Sequence, residues 1–160
     1  MKKHIVTALV ENRPGVLARI VGLISGRGYH IETLNVAPTR EPGMSKMTIV
    51  VLGDDHVLEQ VVLQVGKLVD IVAVSDVTKR RPLDRELILV EVAVPDSASR
   101  AALADAIKPF RSAIASERKG AATVEMVGSQ SEVRAFLRML GAWNILDLSR
   151  SGVIAVSRAR

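Results

Sequence analysis

Apolar residues change their spacing along this chain, and the changes lay out a repeated order of elements. Residues 4–10 form a run rich in β-branched side chains, as a strand requires. From Val16 the period becomes helical, with Val16, Leu17, Ile20, Val21, Leu23 and Ile24 on one face. Gly26 and Gly28 close that helix, because glycine takes the left-handed cap geometry without steric cost. Residues 31–39 read as extended chain and Glu41-Pro42-Gly43 as a turn. Met47, Ile49 and Val51 then line one face of a third strand, with Lys46 and Thr48 on the other. Asp54 or Asp55 caps a second helix carrying Val57, Leu58, Val61, Val62, Val65, Leu68 and Val69, and residues 71–77 close the set.

This order, βαββαβ, is the ferredoxin-like split arrangement. It predicts one antiparallel sheet with both helices on a single face and the other face free. KRRPLDR, residues 79–85, interrupts the pattern with charge and proline, and is the expected linker between modules 1–78 and 86–160. In the second module residues 86–94 read as a strand, and Ser97 or Ser99 starts a helix through Ala102, Leu103, Ala106 and Ile107. Short strands at 112–116 and 123–127 flank Lys119-Gly120. Ser129-Gln130-Ser131-Glu132 has capping-box spacing ahead of Val133, Phe136, Leu137 and Leu140. Residues 145–148 and 153–156 finish the chain as strands. The fold class is α+β: two ferredoxin-like modules, alike in element order and not in residues.

Composition narrows the function classes. With 48% hydrophobic residues a real core can form, yet no apolar run reaches the roughly 18 to 20 residues of a membrane span. MKKHIVTALVEN begins like a signal peptide, but Glu11, Asn12 and Arg13 interrupt it and no small-x-small cleavage pattern follows, so it reads as a first strand. The chain has no cysteine, which removes disulfides and thiolate zinc sites and makes a cytoplasmic location the economical expectation. The net charge of +5 comes entirely from the second half: residues 1–78 hold eight basic and eight acidic residues, residues 79–160 fourteen and nine. Four aromatic residues are too few for a base-stacking platform, so an acidic protein surface suits that half better than nucleic acid, and a merely solvated face suits it better still.

The sequence offers no catalytic constellation. His4 starts a strand and reads as a surface residue. Asp54-Asp55-His56 reads as a helix cap with a solvated first turn, not a metal site. Gly26-x-Gly28 lacks a third glycine and follows a helix, so it is no dinucleotide fingerprint. Neither G-x-S-x-G nor a phosphate-binding G-x-x-x-x-G-K-[ST] occurs. A binding surface is another matter. The first turn of a helix presents backbone N–H groups without internal partners, and its dipole attracts anions. At Gly15-Val16-Leu17 a ligand carboxylate can approach, with Asn12 offering a donor and an acceptor beside it. Val16, Ile31 and Ala37 suit an aliphatic side chain. The plainer alternative is that Asn12 only orders the turn and Pro14 sits in the first helical turn.

These residues carry a family resemblance. E-N-x-P-G-V-L-x-R-I-x-G-L-x-x-x-R-G-Y-x-I-E-T-L-x-V-A-P-T and S-K-M-T-I-V are similar to the ACT domain of the small, regulatory subunits of acetolactate synthase (acetohydroxyacid synthase). The likeness continues through LEQVVLQVGKLVDIVAVSDVT and RELILVEV, weakens over 95–127, and returns in SRSGVIAVSR. It implies a non-catalytic subunit that homodimerises through its ACT domain and forms effector sites at the dimer interface. It implies a partner, the large catalytic subunit, which holds thiamine diphosphate, magnesium and flavin; none of these is expected in this chain. It also implies feedback by valine or another branched-chain amino acid. Carried over by position, the effector residues are Asn12, Gly15, Val16, Leu17, His30 and Ile31, the last two facing the helix of the other protomer. Family members commonly carry Asn where this chain has His30, an I-I-D-V strand where it has Ala113-Ile114-Ala115-Ser116, and a Lys where it has Glu132. Two other readings stand beside this one: a stand-alone ACT-type sensor acting on another enzyme or a transcription regulator, and a nucleic-acid-binding module.

Overall fold

Alternation in the first strand sets up the first core. A computed structural model describes residues 2–80 and 82–157 of the chain. Met1, Arg81 of the expected linker and the last three positions of the expected second module lie outside the described residues. The first unit runs β1 (Lys2–Glu11), α1 (Val16–Ser25), β2 (His30–Pro38), β3 (Met44–Gly53), α2 (Asp55–Val65) and β4 (Ile71–Asp76). Its sheet has the order β2-β3-β1-β4 with every neighbour antiparallel. Val6, Ala8 and Val10 of β1 and Met47, Ile49 and Val51 of β3 pack with Val16, Ile20 and Ile24 of α1 and Leu58, Val61 and Val65 of α2. The period of two on the strands and of 3.6 on the helices thus close on one core. Each large apolar side chain buried there contributes about 1.5–3 kcal/mol.

The second unit contains β5 (Leu83–Ala93), α3 (Ser97–Ile107), β6 (Ala113–Arg118), β7 (Ala121–Gly128), α4 (Gln130–Leu140) and β8 (Ile145–Arg150). Its antiparallel strands follow the order β6-β7-β5-β8. Ile88, Val90, Val92, Val124 and Met126 face Leu103, Ile107, Val133, Phe136 and Leu140. Phe136 meets Phe110 edge to face at 5.2 Å between centroids. One charge lies inside: Glu86 is buried and accepts two hydrogen bonds from Arg150, at 2.8 and 2.9 Å.

Helix ends resolve the choices that the residue pattern left open. Asp54, not Asp55, caps α2, accepting from the Val57 amide at 2.9 Å; that bond holds its carboxyl below the usual range. α3 starts at Ser97, as expected, but Ser97 does not cap it. Asp96 does, accepting from the Ser99 amide at 2.7 Å, while the Ser99 hydroxyl takes the Asp96 amide at 3.2 Å. A carboxylate suits the positive end of the helix better than a hydroxyl. Ser129 and Glu132 form the expected capping box on α4.

Three further expectations are corrected. Gly26 is right-handed at φ −63°, and the left-handed residue is Gly28 at φ +76°. His4 is not a surface residue: only 2% of it is exposed, because the period of two puts it on the same face of β1 as the buried Val6, Ala8 and Val10. The far face of the first sheet is not free either. Val153 and Ala155 cluster there with Ile5, Val50 and Val77. The chain accordingly divides at Leu83/Asp84, and residues 153–157, including β9 (Ile154–Val156), group with the first unit. By compactness the second unit is 84–152, with Val153 and Ala155 packed on apolar surface of β1 and β3.

Candidate functional site

Gly15 is the N-cap of α1 at φ +87°, a left-handed conformation that glycine adopts without strain. The chain reverses there, so Pro14 belongs to the turn before the cap and not to the first helical turn. No side chain caps this end and no acidic residue lies in its first turn. Nothing is within 4 Å of where a Cβ on Gly15 would stand. The turn is held from behind: the Asn12 amide donates to the Gly43 carbonyl at 2.7 Å, and the Arg19 amide to the Gly15 carbonyl at 3.0 Å. Arg19 also pairs with Asp70, whose carbonyl accepts the Glu11 amide at 2.9 Å. The motif carried this arginine as a bare letter; its anchoring role depends on Asp70, far away in sequence.

The expected site residues differ in what they present. Asn12, Gly15 and Leu17 are exposed. Val16 is 4% exposed and faces the core, so its side chain is not a pocket wall. Helical geometry decides this, since Val16, Ile20 and Ile24 share one face.

His30 and Ile31 are elsewhere. They begin β2, where His30 stands opposite Leu52 and Leu52 opposite Lys3. At the other end of the same sheet Pro38 stands opposite Ser45 and Ser45 opposite Val10, just before Asn12. A strand rises about 3.3 Å per residue, so roughly 25 Å of β2 separates the two groups. Within one chain the six residues do not converge. His30 instead lines a cavity of about 530 Å³ with Lys2, Tyr29, Leu52, Asp54 and Val57. The buried His4 adjoins it through Gly53, whose carbonyl lies 3.3 Å from Nε2; His4 Nδ1 is buried without a partner, as is Thr33 Oγ1. Among the described residues no cluster of His, Asp and Glu is arranged to hold a metal ion, and no helix is long and apolar enough to cross a membrane.

Known proteins match both units. The family described as "AHAS small subunit-like ACT domain" matches residues 6–73, and the family described as "Small subunit of acetolactate synthase" matches residues 85–159. The chain is 40% identical over 155 residues to the probable acetolactate synthase small subunit of Methanothermobacter thermautotrophicus, covering 97% of this chain and 92% of that one. It is also 40% identical over 158 residues to the acetolactate synthase small subunit of Aquifex aeolicus, covering 99% and 82%. Among solved structures, the acetolactate synthase small subunit of Thermotoga maritima superposes with a TM-score of 0.89 at 30% identity, covering 100% of this chain and 99% of that one.

Proposed function

Since this chain belongs to the acetolactate synthase small-subunit family, we propose that it is the regulatory subunit of that enzyme. It binds the catalytic subunit, raises its rate, and carries the site through which valine or another branched-chain amino acid feeds back. Pyruvate condensation, with its thiamine diphosphate, magnesium and flavin, stays on the partner.

The observation that carries the effector reading is the separation of the site residues across one sheet whose edge strand, β2, has no second neighbour within its sheet. Free edges invite pairing with another chain. Antiparallel pairing of β2 with its copy about a two-fold axis sets the start of one strand beside the end of the other. His30 and Ile31 of one protomer then lie near the Gly15–Leu17 turn of the second. A valine carboxylate fits the uncapped helix end, where N–H groups and dipole both favour an anion. Asn12 lies beside it, and Leu17 and Ile31 supply apolar contact.

Titrating the full chain into its cognate catalytic subunit is expected to raise the rate of pyruvate condensation to a plateau, which valine then lowers. A flat titration at saturating chain counts against the proposal.

His30 gives a finer test. A carboxamide presents a fixed oxygen acceptor beside an N–H donor, matching both charged groups of an amino acid. An imidazole is bulkier and has no oxygen. A recovered hydrogen bond to a buried ligand group contributes roughly 1–3 kcal/mol, so His30→Asn is expected to tighten valine binding about 5- to 150-fold by calorimetry. Equal affinities would remove His30 from the contact.

A further inference from the structure

In the second unit, the start of β5, the turn after α3 and the end of β7 enclose a cavity of about 260 Å³. Arg85, Arg111 and Glu132 line it, together with the apolar Phe110, Met126 and Val127. Arg85 donates to the backbone carbonyl of Asp84 at 2.7 Å, and Arg111 makes no hydrogen bond or salt bridge with any described residue. Glu132 is half committed, its Oε2 accepting from the Ser129 amide and hydroxyl, each at 2.7 Å. Those bonds first, then the two guanidinium groups, hold its carboxyl below the usual range. Two cations against one carboxylate leave the lining net positive.

The backbone adds a second sign. Arg111 sits at φ 53°, and it is the non-glycine residue at positive φ among the described residues. Glycine would occupy that position without strain, yet the chain carries a guanidinium there. Such outliers concentrate at ligand clamps. The first unit has its own cavity at the corresponding place in the element order, lined by Lys2, Tyr29 and His30. A cation on the first strand, then an aromatic and a basic residue after the first helix, recur as Arg85, Phe110 and Arg111. The repetition reaches beyond element order to the lining of a cavity.

We propose that the second unit's cavity binds a small monocarboxylate with a short apolar body, the carboxylate held by Arg85 and Arg111 and the body against Phe110 and the exposed Val127. Guanidinium and carboxylate match as paired, charge-assisted hydrogen bonds. The volume is below the roughly 300–1,000 Å³ typical of drug-sized ligands, which restricts the occupant to a few heavy atoms. This site is independent of the effector role assigned to the first unit.

Calorimetry on the full chain tests it, with isovalerate as probe, isovaleramide as its uncharged counterpart, and inorganic phosphate as an anion without an apolar body. Saturable isovalerate binding is expected, with both comparators weaker by about tenfold or more. Arg111→Gly removes the guanidinium and relieves the left-handed backbone, so the variant folds; it is expected to weaken isovalerate by about tenfold or more. Arg134→Gln, an exposed arginine of α4 outside the cavity, is expected to leave binding unchanged. No binding by the unmodified chain, equal binding by Arg111→Gly, or phosphate or isovaleramide binding as tightly as isovalerate overturns the proposal. So does an equal loss in Arg134→Gln.

Discussion

Replacing Arg150 with alanine is expected to destabilise the chain by about 3 kcal/mol or more. The Glu86 side chain is 0% exposed, and Arg150, at 43%, reaches in from the surface with both donors on it. Removing the arginine leaves a carboxylate in the interior without its counter-charge, which costs roughly 3–5 kcal/mol in comparable sites. The exposed part of Arg150 puts this pair toward the lower end. The double variant Arg150→Met/Glu86→Leu is expected to recover most of the loss, since apolar replacements of a buried pair are often neutral or better. Urea denaturation separates the cases, because a lower midpoint at unchanged slope reports stability alone. A loss under about 1 kcal/mol for Arg150→Ala would show that water or another group already serves Glu86.

Val153→Asp is expected to be comparably damaging to the first unit. Val153 is 1% exposed against Ile5, Val50, Val77 and Ala155. An ionised carboxylate has no partner there, so the segment leaves its seat and uncovers the three residues beneath. Each buried aliphatic side chain is worth about 1.5–3 kcal/mol, so the combined loss is about 3 kcal/mol or more. Amide exchange of Ile5 and Val50 should rise well above that of the second unit's β7. Unchanged exchange at those two amides would mean that the last strand is not part of the first unit's core.

Element types were legible because their signal is local. Met47, Ile49 and Val51 alternate, and Val16, Ile20 and Ile24 recur with the helix, whatever the rest of the chain does. Contacts across long separations were not. His4 shares the inward face of Val6, Ala8 and Val10 by the period of two, a signal its polar ring masks, and nothing near Ile5 announces that Val153 will cover it. Val16 looked like a pocket wall because Gly15 beside it is exposed; only the helical phase turns its side chain inward. The cap at Asp96 was passed over because two serines followed it, although its spacing to Ser99 is that of a capping box. For the candidate site, the motif supplied residue names, and strand order supplied their separation. Neighbours in sequence order, α1 and β2, bring Asn12 and His30 to opposite ends of one sheet, which only pairing registers reveal.

The last strand also fixes the order in which the molecule can be completed as it is made. Synthesis proceeds from the N-terminus at about 5–20 residues per second, and domains fold as their sequence emerges. The helix-covered core of the second unit lies in one stretch, 84–152, so its packing is available as soon as that stretch is out. The first unit has four strands and two helices by residue 76, but its far face lacks Val153 and Ala155 until the second unit has passed. Closing so long a loop adds little entropy cost, since the cost grows only with the logarithm of length, but it imposes a delay. During that delay Ile5, Val50 and Val77 form an apolar strip on the nascent chain, open to a chaperone or to misplaced strands. The unit that is synthesised first waits longest for one face of its sheet to be covered.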